Sequence, residues 1–170
     1  VECNKKLSEH PRITAAYNFI MGLPTETLED LKKTRDMMLR LVDDHPNCIL
    51  FAPNKFRPLP GTELYLQAQE EWGYEMPSTL KAWSEIEVEG DPITNQWYEK
   101  GMREFGNMLL ITSYFVDNKI AKITEGTTLY TKVARLVNSL YRPIARLRME
   151  NGISQLLLEY WIYRRITALF

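Results

Sequence analysis

Histidine and cysteine are scarce in this chain, with two of each in 170 residues. His10 and His45 both stand beside a proline, one in a polar segment and one in a turn. Neither has a Ser, Cys or carboxylate at the spacing of a triad or a metal set. Cys3 and Cys48 are too isolated for a zinc pattern or a disulfide framework. They read as one exposed thiol near an end and one buried thiol in a strand, in a reducing, cytosolic setting. Phosphate-binding glycine loops are missing: there is no Walker loop and no G-x-G-x-x-G. Acidic residues are frequent, yet no pair stands out as a general acid and base. No apolar run reaches the length of a membrane span. The greasiest stretch, "ISQLLLEYWIYRRITALF", is broken by Glu159, Arg164 and Arg165. The start, "VECNKKLSEH", lacks an initiator Met and is polar, so no signal peptide is visible and a cytoplasmic location is expected.

What is present is enough for one domain with a real core. Charge divides unevenly. Residues 101–170 hold ten Lys and Arg against five Asp and Glu, and residues 1–100 hold eleven against seventeen. Such a split fits two functional regions or simply two solvated surfaces. Two regions are expected: a mixed strand and helix part over 1–95 and an all-helical part over 96–170.

The segment "ITAAYNFIM" (13–21) is rich in β-formers and apolar on both faces, the pattern of a buried parallel strand. Alternation puts Ala15, Tyr17, Phe19 and Met21 on a wholly apolar face that packs under a helix. Thr14, Ala16, Asn18 and Ile20 form a mixed face, suited to a ligand-lined partial barrel or to a satisfied buried Asn. Gly22-Leu23-Pro24 ends the strand. A helix is predicted from about 27 to 42, with Thr27 and Asp30 at capping-box spacing and Leu31, Met38, Leu41 and Val42 as its apolar stripe. Glu29 and Lys33 are an i,i+4 pair on its wet side. "CILFAPNKF" (48–56) is a second strand, with Leu50, Ala52, Asn54 and Phe56 on one face. Pro53 removes a ladder donor, which confines this strand to a sheet edge or a bulge, and an open edge is expected. The whole is one right-handed β-α-β unit.

"RPLPGT" then makes a stiff loop, and a short helix from about 62 to 72 places Leu64, Ala68 and Trp72 on one face. An acidic connector follows, packed through Tyr74, Trp83 and Trp97. Three helices complete the chain: 96–116, a second broken or kinked at Pro143, and a third from 154 onward. The last two carry Arg135, Arg142, Arg146, Arg148, Arg164 and Arg165 beside Tyr130, Tyr141, Tyr160, Trp161, Tyr163 and Phe170. Three readings fit: a helical cap whose stripe Val133, Leu136, Val137, Leu140 and Ile144 packs on the barrel, a membrane surface or lipid-like substrate, and nucleic acid.

Ligands of α/β architectures bind beyond the carboxyl ends of the strands. "GLPTET" and "RPLPGT" lie there, and the helix N-terminus beside Gly22 offers N–H groups to an anion. Taken together, "NFIMGLPTETLEDLKKT" and "FRPLPGTELY" resemble the last third of a radical S-adenosylmethionine (SAM) enzyme core. That family has a partial TIM-type barrel of six strand-helix repeats. Its fifth strand runs into G-x-P-G-E-T-x-x-D, matched by Gly22, Pro24, Glu26, Thr27 and Asp30. Its sixth runs into P-x-P-G-T-x-L-Y, matched by Pro58, Pro60, Gly61, Thr62, Leu64 and Tyr65. Thr25 stands where the family often has Gly. "EEWGYEMPSTLKAW" is similar to the stretch after the barrel in the cobalamin-binding branch. The resemblance covers residues 10–85, half the chain.

It implies an α/β fold: the last two strand-helix units of a partial barrel, then an all-helical cap. It implies that Ile20, Met21, Gly22, Phe56 and Arg57 border the adenine of SAM and that Glu26 caps its helix. The parent would cleave SAM with a [4Fe–4S] cluster to a 5′-deoxyadenosyl radical, for methyl transfer or ring formation on a small-molecule or lipid-like substrate, with cobalamin as the resemblance to that branch implies. The family's C-x-x-x-C-x-x-C is absent here, so the chain is expected to be a C-terminal fragment. Its partner would be the upstream part of the same polypeptide, and alone it is expected to be inactive and to bind no metal. The alternative is a non-catalytic helical interaction or membrane-surface module. The two readings separate on whether Ile20 and Phe56 share one surface or lie in separate buried clusters.

Overall fold

The computed structural model describes residues 2–10, 12–75, 77–84, 97–120 and 128–167. The side chains of Trp83 and Arg164, Phe170, and the boundary between residues 95 and 96 lie outside what is described. The chain is mostly helical. In order come α1 (Glu2–Ser8), β1 (Ala16–Tyr17), β2 (Ile20–Met21), α2 (Leu28–Asp44), β3 (Ile49–Leu50), β4 (Asn54–Lys55), α3 (Glu63–Glu70), α4 (Leu80–Ser84), α5 (Met102–Ser113), α6 (Leu129–Asn151) and α7 (Leu158–Thr167).

The strands form one narrow parallel ribbon in two steps. β1 pairs with β3, Ala16 opposite Ile49 and Tyr17 opposite Leu50. β2 pairs with β4, Ile20 opposite Asn54 and Met21 opposite Lys55. Two residues separate the steps on the first strand, and three (Phe51, Ala52, Pro53) separate them on the second. The extra residue is a bulge. Pro53, which has no N–H to give, sits in it and is buried. The bulge corrects the expected face of the second strand: Leu50 is buried while Asn54 is exposed, because alternation changes sides between them. The first strand has no bulge and alternates as its sequence dictates. Ala15 and Met21 are buried, and Thr14, Ala16, Asn18 and Ile20 are exposed.

α2 forms where its local signals put it. Thr27 Oγ1 accepts from Asp30 N at 3.2 Å, and the Asp30 carboxylate accepts from Thr27 N at 3.2 Å, a closed capping box. Leu31, Met38, Leu41 and Val42 are its buried residues. Burying each large apolar side chain stabilises the fold by about 1.5–3 kcal/mol. On the wet side the ion pairs are Glu29–Lys32 and Asp30–Lys33, at i,i+3, in place of the expected Glu29–Lys33 pair.

One core cluster joins the covered face of the ribbon to α2 and to Met102, Phe105, Met108 and Leu109 of α5, with Met149 of α6. α5 is shorter than predicted because Gly101, with φ of +88°, starts it. α6 runs unbroken through Pro143 from a Thr128 cap to Gly152. α3 turns Tyr65 and Ala68 inward, and Leu64, expected on that face, is exposed. α1 docks through Asn4, whose Nδ2 donates to Leu41 O at 3.0 Å while its Oδ1 accepts from Tyr17 Oη at 2.9 Å. Cys3 is exposed and Cys48 buried.

α6 departs from expectation in a second way. The stripe Val133, Leu136, Val137, Leu140 and Ile144 is exposed. The helix packs instead through Asn138, Ala145 and Met149, on the other side.

Arg146 ties α6 to α2, donating to Asp43 at 2.7 and 2.9 Å. That bond holds the Asp43 carboxyl below its usual range. Lys33 and Thr27 likewise pull Asp30 down to about 2. A carboxylate with a depressed folded pKa stabilises the fold above its unfolded value, near 3.9, and loses that contribution as pH falls through the folded value. Thermal stability is therefore expected to drop between about pH 4 and pH 2. Asp43→Asn should shrink that drop. Melts followed by far-UV circular dichroism at pH 5 and pH 2.5 check it. Both pairs are exposed, so the Asp43–Arg146 share is at most about 1 kcal/mol.

Candidate functional site

The ribbon's carboxyl ends converge on Gly22. Its φ of +81° is open to glycine and strained for other residues. Glu26 closes the turn after it: the carboxylate accepts from Gly22 N, and Leu23 N also donates to it. Glu26 thus holds the Gly22-Leu23-Pro24 turn, where a helix-capping role was expected. Burial pushes its carboxyl above the usual range, and the two N–H groups partly offset this. Two of the first-turn N–H groups of α2 are also engaged. Asp30 N goes to Thr27, and Leu28 N lies 3.4 Å from Glu99 Oε2. The anion site expected at this helix start is thus taken in part by the chain's own acceptors.

Aromatic side chains cover the turn. Trp97 Nε1 donates to Gly22 O at 3.1 Å. The Tyr98 hydroxyl lies where a Cβ on Gly22 would be, 2.0 Å from that position. Around Trp97 stand Phe56 at 6.4 Å, Trp72 at 6.4 Å and Tyr74 at 6.0 Å between ring centroids. These separations fall in the range where tilted and edge-on ring pairs add stability beyond burial. Arg57 lies close enough to Tyr74 to oppose the rise that burial imposes on the Tyr74 hydroxyl.

The five residues singled out from the sequence do not share one environment. Ile20 is 60% exposed, on the open face of the ribbon. Phe56 follows Asn54 by two residues, so the register puts it on Ile20's side, beside Gly22. Neither belongs to the core cluster. Met21 turns the other way, into the core, with its Sδ 3.3 Å from where a Cβ on Gly106 would sit. Its backbone alone reaches the strand end, where Met21 O accepts from Phe56 N at 2.7 Å. α5 covers that opposite face, so the cover over the strand end comes from Trp97 and Tyr98 and not from α5.

The ribbon's two edges differ. On the second strand, Leu50 N donates to Asp117 Oδ2 at 2.6 Å, and Lys119 Nζ donates to Leu50 O. One ion pair, 3.8 Å from Nζ to Oδ2, thus takes the place of a ladder rung. Asp117 is 1% exposed, and burial lowers the Lys119 pKa while Asp117 opposes the shift. On the first strand, Thr14, Ala16, Asn18 and Ile20 lie along the outer edge. Among the described residues, no third strand joins either step of the ribbon. The Asp117–Lys119 clamp escaped the sequence reading. Its one signal was an acid and a base two residues apart within the otherwise apolar "YFVDNKI".

Among the described residues, no group of three or more His, Cys, Asp or Glu is placed to hold a metal ion. None of the described helices is long and apolar enough to cross a membrane. No family model, no curated protein and no solved structure matches the chain.

Proposed function

We propose that this chain is the closing part of a radical SAM barrel, with its ribbon as the last two strands. The observation that carries this reading is the asymmetry of the ribbon. Its far edge is sealed by Asp117 and Lys119, while among the described residues no strand pairs with the first strand's outer edge and its Ile20 face is exposed. Parallel sheets are normally covered on both faces, and two strands alone are marginal. An upstream strand beside Ala16, Asn18 and Ile20 would widen the sheet beyond two strands, and the remainder of a barrel would enclose its open face. The Gly22 and Pro60-Gly61-Thr62 turns at the strand ends agree with the family pattern.

The residues present fit SAM in part. Ile20 and Phe56 offer apolar surface on one face for an adenine ring. Both polar backbone groups of Gly22 are engaged, its N–H by Glu26 and its carbonyl by Trp97, so it would contribute the shape of the turn and no hydrogen bond to the ring. The aromatic group around Trp97 would then border the ring. The residues do not fit an iron–sulfur cluster: Cys3 is exposed in α1, and Cys48 is buried against the core. The cluster, and cobalamin if it is used, belong to upstream polypeptide, and no step is assigned to this chain through them. When bound there, SAM and the cluster supply the radical chemistry. This chain's part is to orient the adenine and to exclude water at the strand ends.

The test is SAM binding by the polypeptide extended through its upstream coding sequence. Ile20→Glu should weaken SAM at least tenfold by calorimetry and leave the cluster's visible absorption unchanged. Unaltered affinity in Ile20→Glu would remove the ribbon face from the site.

A further inference from the structure

Backbone groups along the first strand point alternately to its two sides. The carbonyls of Ala15, Tyr17, Phe19 and Met21 accept from N–H groups of the second strand at 2.7 to 2.9 Å. The N–H and C=O groups of Ala16, Asn18 and Ile20 therefore point along the outer edge. Among the described residues none of these six groups has a hydrogen-bond partner, and all three side chains are exposed. An edge of this kind is usually guarded by a lysine, a proline or a bulge on the edge strand itself. Here the bulge and Pro53 belong to the other strand, and Asp117 and Lys119 guard the other edge. From residue 13 to residue 25 the chain has no charged residue. What fits a row of outward N–H and C=O groups is the backbone of another extended strand.

Symmetry and charge select a second copy of this chain. A two-fold axis through Asn18 sets Ala16 of one copy opposite Ile20 of the other, and Asn18 opposite Asn18. In that antiparallel register the opposed residues face each other in both copies, so each pair exchanges two hydrogen bonds. One four-stranded sheet then replaces two marginal two-stranded ribbons. No like charges meet across the seam, because the segment is uncharged and Arg12 falls opposite Pro24.

We infer that this chain self-associates through the outer edge of its first strand, as an antiparallel two-fold dimer centred on Asn18. The seam is short, so the dimer is reversible and depends on concentration. An upstream strand of the kind proposed above would meet the same edge in cis, at roughly millimolar effective concentration, and displace the second copy. The inference itself rests on the edge and not on the SAM reading.

Sedimentation velocity of the full chain over a range of loading concentrations tests it. The native chain should pass from monomer to dimer. Asn18→Lys sets two ammonium groups opposite each other and should weaken association about tenfold, as should Asn18→Asp with two carboxylates. Mixing the two variants sets Lys against Asp and should restore the dimer. Asn18 is exposed, so the far-UV circular dichroism of both variants should match that of the native chain. A native chain that stays monomeric, a dimer indifferent to both substitutions, or a mixture no more dimeric than its parts overturns the inference. A dimer of the upstream-extended polypeptide that Asn18→Lys dissociates would instead overturn the upstream strand of the SAM reading and leave this inference standing.

Discussion

Asp117→Ala is expected to destabilise the chain by about 3–5 kcal/mol, the range for breaking a buried ion pair by removing one partner. The Leu50 N–H loses its acceptor at 2.6 Å, and the Lys119 ammonium keeps its burial without its counter-ion. Lys119→Met should also destabilise, since it leaves the Asp117 carboxylate, 1% exposed, without its counter-ion and Leu50 O without its donor. The double variant should cost less than the sum of the two, with a coupling above about 1 kcal/mol. Urea denaturation followed by circular dichroism measures all three. A loss under about 1 kcal/mol for Asp117→Ala would mean that the strand edge does not depend on this clamp. Sealing one edge with side chains keeps a short strand from pairing further on that side, which makes the other edge the place where a sheet can continue.

Gly22→Ala is expected to cost about 2–3 kcal/mol. A left-handed φ penalises a Cβ by about 1–2 kcal/mol, and the added methyl also displaces Tyr98. The displacement has its own readout, because Trp97 is bonded to the Gly22 carbonyl. Tryptophan emission should shift to longer wavelength as the indole loses its cover. Tyr98→Ala in the same chain should recover the steric part of the loss and leave the backbone part. A Gly22→Ala variant with native stability and native emission would mean that the aromatic cover does not rest on this turn.

Local signals carried most of what the sequence made legible. The capping box at Thr27 and Asp30 and the stripe Leu31, Met38, Leu41 and Val42 fixed α2, because each depends on residues within a few turns. Strict alternation in the first strand separated buried Ala15 and Met21 from exposed Ala16 and Ile20. Alternation failed in the second strand, where the bulge at Pro53 changes sides. Pro53 suggests an open edge on the second strand, but that edge is closed at Leu50 by Asp117 and Lys119, and Pro53 marks the bulge. Contacts of long sequence separation stayed hidden. Asp117 meets Leu50 across 67 residues, and Trp97 meets Gly22 across 75. The stripe on α6 teaches a different point. A helical period says that a helix has an apolar side, and it does not say that the side is covered.

Of the candidate site, the turn at Gly22 followed from the strand pattern, whereas whether Ile20 and Phe56 share a face stayed open in the sequence and follows from the register of the second step. The aromatic group over Gly22 was half visible, since Tyr74 and Trp97 were expected to pack in the connector. That they gather at the strand end, with Trp72 and Phe56, depends on tertiary placement alone.

The proposal that this ribbon closes a radical SAM barrel is decided by reading the coding DNA upstream of the Val1 codon. It predicts an in-frame C-x-x-x-C-x-x-C preceded and followed by alternating strand and helix patterns, four strands in all before β1. A start codon immediately before Val1, with no such cysteines, would contradict it.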